Sequence, residues 1–328
     1  MSKYNHLAAS CTVKDAVKCE LKVYNSPMTL VLLNPHARGG RARLVAPAMQ
    51  RWLAANAPSA DWAAPDSLAQ AQALIMQRPM ASRVIAVGGD GSVNRWLPAL
   101  LARGHSLGLV PMGSGNDLAR ALGLYGLDWQ TALTKALHDP ASPVDTGLLE
   151  WNGESTPFLS SLTAGFDAAV GLRALRGPTW LRGQPRYLWA TLKELAALRH
   201  WPVKVSCNGE DEWSGPVLFA STLNTPSFGS GMPAVPHAQA DDGQLDLLLA
   251  RRMGRLGVLA LLPRLLLGKH LSHTLVRTRA FSRMDLHSSV PIPLAADGEY
   301  LGQANKLSIS IRAASLQIVK NPWGQVLT

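Results

Sequence analysis

A rhythm in the first half of the chain constrains its fold more than any other feature. Short continuous apolar runs occur at 29–33 (TLVLL), 83–87 (RVIAV) and 106–110 (SLGLV). Runs of this length bounded by turn residues mark strands buried on both faces. Between them lie stretches with helical spacing. Leu44, Val45, Ala48, Met49, Trp52 and Leu53 form one, with Pro47 blurring its start; 68–76 is a second; Val93, Trp96, Leu97, Leu100 and Leu101 form a third; 116–122 and 129–138 follow. This alternation predicts an α/β domain with a doubly wound, mostly parallel sheet. After residue 144 the pattern changes. Strand candidates at 158–162, 203–207, 217–223, 244–250, 284–287 and 307–311 are separated by Gly, Pro and Asn turns, with one helical stretch near 187–198. That half reads as an antiparallel, β-rich, sandwich-like domain. The expected organisation is an extension over 1–27, an α/β domain over 28–143 that residues 315–328 could complete, and a β-rich domain over 144–314.

A glycine-rich turn follows each of the three apolar runs: 34–40 (NPHARGG), 88–94 (GGDGSVN) and 113–117 (GSGND). Ligands of open α/β sheets bind beyond the carboxyl ends of the strands, so the three turns would converge on one crevice. Glycines there let backbone amides approach phosphate oxygens, and each following helix adds its positive N-terminus. No turn is a Walker A loop and none reads GxGxxG. Taken singly, a glycine-rich turn of this kind is more often an ordinary turn, with Asp90 and Asp117 as helix caps. Together they place two carboxylates beside presumptive phosphates, a conflict that Mg²⁺ resolves by binding one or two carboxylates plus phosphate oxygens. The expectation is a Mg-nucleotide site.

Composition narrows the partners. The chain has 328 residues, and 32 Lys and Arg against 22 Asp and Glu give a net charge of +10. Apolar residues make up 47%, which excludes disorder for most of the chain. The positive balance asks for an anionic partner: nucleic acid, a phosphorylated small molecule or a membrane surface. Cys11, Cys19 and Cys207 offer neither a disulfide framework nor a zinc spacing. Residues 1–27 contain no signal-peptide apolar core, and the most apolar stretch, 256–267, is too short and too charged to act as a transmembrane anchor. The expected location is cytoplasmic, with the protein soluble or peripheral on the inner membrane surface.

GGDGSVN at 88–94 followed by PMGSGNDLAR at 111–120 resembles the catalytic domain of the diacylglycerol kinase family, whose soluble bacterial lipid kinases are related to sphingosine kinases and, more distantly, to NAD kinases. The later half carries the resemblance further, through 224–232 (NTPSFGSGM), 241–246 (DDGQLD) and 297–299 (DGE). NAD kinases share the GGDG turn and lack the GSGND pattern. The resemblance implies an ATP- and Mg²⁺-dependent transfer of a phosphoryl group to the hydroxyl of a diacylglycerol-like or sphingoid lipid. It implies that Gly89, Asp90, Gly91, Ser92, Val93 and Asn94 line the nucleotide phosphates, with Ser114 and Asn116 on the later loop and Asn34, Gly39 and Gly40 completing the cradle. Arg38 or Arg41 would add charge. Asp90, Asp117 and Asp145 are candidates to hold Mg²⁺, although Asp145 reads equally as a residue at a strand start. Glu299 matches the family's proton acceptor, and Asp297 could share that role; the bland alternative for both is a hairpin turn. A second Mg²⁺ is implied at Asp242 with the backbone carbonyls of Gln239 and Gln244, where the alternative is a type I turn.

Two departures stand out. Where the family has Glu after the Asn of its GGDG motif, this chain has Arg95, which could alter metal binding or contact phosphate. Where the family places a Thr after the second strand, this chain reads Asp61-Trp62-Ala63-Ala64, and Trp62 could flank the adenine instead. Basic residues interleaved with Trp180, Tyr187, Trp189 and Trp201 across 173–204, and a basic-flanked apolar helix over 251–269, suit an anionic membrane surface that holds the lipid substrate. The other reading of both is a core with a solvated basic face. No RNA-binding, zinc or helix-turn-helix signature is present, so nucleic acid is not expected as a partner. A catalytically weak, kinase-like binding protein and an NAD kinase-like enzyme remain as alternatives, and a homodimer stays open.

Overall fold

The computed structural model describes residues 28–113, 115–178, 180–181 and 184–321. The extension over 1–27 and residues 322–328 lie outside the described residues. The first half runs β1 (Thr29–Leu33), a 3₁₀ turn at Ala37–Gly40, α1 (Ala42–Asn56), β2 (Asp61–Ala63), α2 (Leu68–Met76), β3 (Arg83–Gly88), α3 (Asp90–Arg103), β4 (Ser106–Pro111), α4 (Asp117–Ala121) and α5 (Trp129–His138). Its strands lie in the order β2-β1-β3-β4, all parallel. Side chains alternate between two cores, as the strand period of two requires. Leu30, Leu32, Val84, Ala86, Leu107 and Leu109 face Ala71, Ile75, Val93, Trp96, Leu97 and Leu100 of α2 and α3. Val31, Leu33, Ile85, Val87 and Val110 face Met49, Leu53, Leu133 and Ala136 of α1 and α5. Helices on both faces make the sheet doubly wound, as expected. α1 starts at Ala42 and runs through Pro47. Trp62 packs with the α1 and α5 core instead of standing in the open.

The second half comprises β5 (Ala141–Trp151), β6 (Glu154–Phe158), β7 (Ser161–Ala164), α6 (Phe166–Leu175), α7 (Gln184–Ala196), β8 (Trp201–Cys207), β9 (Glu210–Leu223), β10 (Leu245–Arg251), α8 (Arg255–Leu266), β11 (Val276–Phe281), β12 (Arg283–Ala296) and β13 (Glu299–Val319). Its strand pairs are antiparallel, and bulges in β9, β12 and β13 let these long strands bend around one apolar core that includes Phe158, Phe281, Met284 and Leu286. Among the described residues three α-helices stand here; α7 and α8 match the helical stretches expected near 187–198 and within 251–269, and α6 is the unexpected one. Residue 144, the expected domain limit, falls inside β5, and Val144, Leu159, Leu316 and Ile318 pack into the α2–α3 core. The end of β13 also pairs in parallel with β4, Gln317 with Ser106 and Ile318 with Leu107. One continuous sheet therefore joins the halves.

Candidate active site

The three glycine turns meet at the carboxyl edge of the parallel strands. Asn34, just past β1, donates from Nδ2 to Ser92 Oγ at 2.8 Å and accepts His36 N–H on Oδ1 at 2.9 Å. Arg38, Gly39 and Gly40 continue with φ of 51°, 67° and 89°. Gly89, in extended conformation, opens α3 and lies against Gly113 of the third turn. A Cβ on Gly89 would stand 2.7 Å from Gly113 Cα, and one on Gly113 2.6 Å from Gly89 Cα, so both positions require glycine. Asn116, at φ 55°, shapes the third turn by accepting Gly113 N–H at 2.9 Å and donating to Gly113 O at 3.1 Å. Ser114 lies outside the described residues. Val93 is buried in the core, so only its backbone can face a ligand in the crevice.

Asp90 bridges the second and third turns. Its Oδ2 accepts Asp117 N–H at 3.0 Å and its Oδ1 accepts Leu118 N–H at 3.2 Å, so it caps α4 and not its own helix. Burial pushes the Asp90 carboxyl up; the two amide bonds draw it down, and the nearby charges of Asp117 and Asp297 raise it. Asp117 is engaged elsewhere. Its Oδ2 accepts Ser230 N–H at 2.8 Å, and its Oδ1 accepts Gly231 N–H at 2.6 Å and Ser227 Oγ–H at 3.3 Å. The glycine-rich 224–232 segment is thereby folded onto the GSGND turn.

Across the crevice, the β12–β13 hairpin presents Asp297, Gly298 and Glu299. Asp297 and Gly298 have φ of 45° and 84°, the positive pair of a two-residue hairpin turn. Asp297 is saturated: Oδ1 accepts the amides of Ser160 and Ser161 at 2.7 and 2.9 Å, and Oδ2 accepts Leu159 N–H at 2.8 Å and Asn94 Nδ2–H at 2.9 Å. Glu299 projects toward α3, where Arg95 Nη2 donates to its Oε1 at 2.8 Å. Gly91 leaves the room; a Cβ there would stand 3.2 Å from the same oxygen.

Asp145, Asp242, Gln239 and Gln244 are apart from this group. Asp145 is buried and accepts Gly243 N–H and Ala314 N–H, each at 2.7 Å. It lines a cavity of about 330 Å³ with Ser142, Pro143, Asp241, Ala314 and Lys320. Asp242 Oδ1 accepts Gln244 N–H at 3.0 Å, and Gln239, Asp242 and Gln244 are exposed. A second cavity, of about 410 Å³, adjoins the third turn and is lined by Arg38, Gly113, Asn116, Tyr125 and Leu127 among others. The Arg120 guanidinium stacks on the Tyr125 ring, 3.4 Å from its centroid. Sequence reading missed Tyr125; its one signal is its place in a glycine-bracketed loop, between Gly123 and Gly126.

Two helices, α7 near Glu299 and α8 packed on the end of α7, have apolar outer faces. On α7, Leu188 and Leu192 are exposed beside the half-exposed Tyr187, whose hydroxyl is raised first by its partial burial and then by the nearby charge of Glu299. On α8, Leu256, Leu259 and Leu266 are exposed while Val258, Leu261 and Leu265 face inward. Arg255 joins the helices by donating to the carbonyls of Leu195 and Ala196 at 3.2 and 2.9 Å. Glu194, the acid of α7, is buried and paired with Arg173 at 2.7 Å. Among the expected headgroup-level aromatics, Trp180 is exposed, Trp189 packs partly into the core and Trp201 is buried. Among the described residues, no helix is long and apolar enough to cross a membrane.

A doubly wound sheet with three polar turns, closed by a sandwich that delivers a carboxylate hairpin, is the layout of a two-part kinase. Residues 28–149 match the diacylglycerol kinase catalytic domain, and residues 160–320 match the YegS C-terminal NAD kinase beta sandwich-like domain. A diacylglycerol kinase of Mycobacterium tuberculosis is 32% identical over 243 residues, 74% of this chain and 77% of that protein. A crystal structure of a diacylglycerol kinase from Bacillus anthracis shares the fold at TM-score 0.67 and 19% identity, covering 90% of this chain and 97% of that one. An NAD kinase from Archaeoglobus fulgidus shares it more remotely, at TM-score 0.50 and 12% identity, over 90% of this chain and 94% of that one. The chain belongs to the diacylglycerol kinase family.

Proposed function

We propose that this kinase uses ATP and Mg²⁺ to phosphorylate a hydroxyl of a diacylglycerol-like or sphingoid lipid. The carrying observation is the facing of two parts: glycine turns locked together at Gly89 and Gly113, and Glu299 held over Gly91 in the first turn of α3. Phosphoryl transfer needs positioning, charge neutralisation and a base near the nucleophile. The amides at the start of α3, with Asn34, Ser92 and the Gly39–Gly40 turn, would bind the nucleotide phosphates. The acceptor oxygen bonds the γ-phosphorus, its proton passes to Glu299, and the bond from the γ-phosphorus to the ADP oxygen breaks. Asp297, saturated by three amides and Asn94, orders the turn that aims Glu299.

The residues fit Mg²⁺ held largely by the nucleotide. Among the described residues, no group of three or more His, Cys, Asp or Glu side chains could enclose an ion. Asp90, however, is a half-buried hard-oxygen donor whose ionisation is opposed by two neighbouring carboxylates, a conflict that a cation relieves. When bound, the ion would neutralise phosphate charge. Asp117 and Asp145, each spanned by two amides, serve as fasteners in this reading, and Asp242 with the carbonyls of Gln239 and Gln244 is left as the second cation site. The outer faces of α7 and α8 would rest on an anionic membrane surface, with Arg199, Arg252, Arg264 and Lys269 at headgroup level.

Incubating the protein with labelled ATP and a lipid panel, then identifying the labelled product, tests the reading. Asp90→Ala should abolish the product. ATP binding without turnover on any lipid would replace this reading with that of a binding protein.

A further inference from the structure

We infer that Arg95 is a positioning residue for Glu299, pinning one carboxylate oxygen so that the other faces the acceptor hydroxyl. The inference rests on the lipid kinase reading, in which Glu299 takes the acceptor proton.

The local geometry is built from one face of α3. Residues 91 and 95 are four apart and therefore neighbours along the helix surface. Position 91 has no side chain, and Glu299 Oε1 occupies the space, 3.2 Å from where a Cβ would stand. Position 95 carries a guanidinium that closes on that same oxygen at 2.8 Å. Glu299 thus sits in a gap one side chain wide, with a cation forming one wall. The contact is single: Oε1 takes Arg95, and Oε2 accepts no hydrogen bond among the described residues. A two-pronged pair would have engaged both oxygens with Arg95; the single contact leaves Oε2 without a protein donor and open to the substrate hydroxyl.

The neighbouring residues fix the same hairpin. Asn94 holds Asp297 at 2.9 Å, so two consecutive side chains of α3 fasten the turn and the acid that follows it. The helix is itself tied at this point, because Gln72 Nε2 donates to Arg95 O at 3.0 Å. The ion pair is open to solvent, with side-chain exposures of 52% for Arg95 and 37% for Glu299. Exposed pairs contribute little to stability. A base must nonetheless lie within hydrogen-bond reach of the proton it takes, and small displacements carry large rate costs.

The test uses the full chain with labelled ATP and dioleoylglycerol in mixed micelles, on Arg95→Ala, Arg95→Lys, Glu299→Gln and the Arg95→Ala/Glu299→Gln double variant. Arg95→Ala should lower kcat by about 10- to 100-fold, with KM for ATP and lipid changed by no more than about two-fold. Arg95→Lys should recover part of the loss, and the melting temperatures of both should match the wild type. In the Glu299→Gln background, Arg95→Ala should cost nothing further, because it acts through the missing carboxylate. The inference is overturned if Arg95→Ala raises KM for ATP while kcat holds, if it costs as much without Glu299 as with it, or if it has no effect. Full activity of Glu299→Gln, or no wild-type turnover on dioleoylglycerol or on sphingosine offered in its place, overturns the reading beneath it as well.

Discussion

The side-chain amide of Asn94 donates to Asp297 at 2.9 Å across 203 residues of chain, joining the first helix past the GGDG turn to the hairpin that carries Glu299. Asp297 also terminates three backbone amides, which separates its role from that of its neighbour. Asp297→Ala should lower stability by about 2 kcal/mol or more, since buried amides left without an acceptor cost about 1–3 kcal/mol each. Glu299→Gln should leave urea unfolding unchanged while lowering kcat by about 10²–10⁴. Equal unfolding midpoints for the two variants would contradict this division.

Gly89→Ala should damage both fold and binding. The new methyl would meet Gly113 Cα at 2.7 Å, a backbone atom that cannot swing aside. The expected cost is about 1–3 kcal/mol from overpacking, together with weaker ATP binding by titration calorimetry as the two turns are forced apart.

Asp167 gives a pH signature. It accepts Ser221 Oγ–H at 2.5 Å and Ala168 N–H at 2.9 Å, and burial pushes its carboxyl up to about 6. Its folded pKa lies above the unfolded value of about 3.9, so the folded state holds this proton more tightly. The stabilisation is full below pH of about 4 and is lost as pH rises through about 6. Asp167→Asn removes the cost of ionisation, so its melting temperature relative to wild type should rise between acid and mildly alkaline buffer. A difference that is flat with pH would exclude Asp167 as the titrating group.

The outer faces of α7 and α8 predict membrane binding. Leu188→Asp and Leu256→Asp, at positions 60% and 83% exposed, should leave the fold intact. Each should weaken sedimentation with phosphatidylglycerol vesicles, and salt should weaken that of the wild type. Unchanged sedimentation of both variants would exclude these faces.

Three of the four parallel strands were legible in the sequence because β1, β3 and β4 are buried on both faces and write themselves as unbroken apolar runs; β2, the short, partly exposed edge strand DWA, was not. β5 was not, because ASPVDTGLLEW mixes Pro, Asp and Gly; its buried Asp145 is tolerated only because Gly243 and Ala314, 98 and 169 residues away, bring their amides to it. α6 escaped notice because it follows Gly165 at φ 115° and has no capping side chain. The same distinction holds at the site. The turns announced themselves by glycine spacing, whereas the engagement of Asp117 depends on Ser230, 113 residues on, a relationship no local pattern encodes.

β13 begins at Glu299 and ends alongside β4, and this has a consequence for synthesis. When a ribosome has completed residue 143, the glycine turns exist but the acid they face does not. The edge of β4 is unpaired, and Asn94 and Arg95 have nothing to hold. An open edge of this kind invites pairing with other chains. One late strand closes that edge and, in the proposed mechanism, delivers the base in a single event, so the nascent chain would stay inactive, and vulnerable, until residues 297–318 have been made.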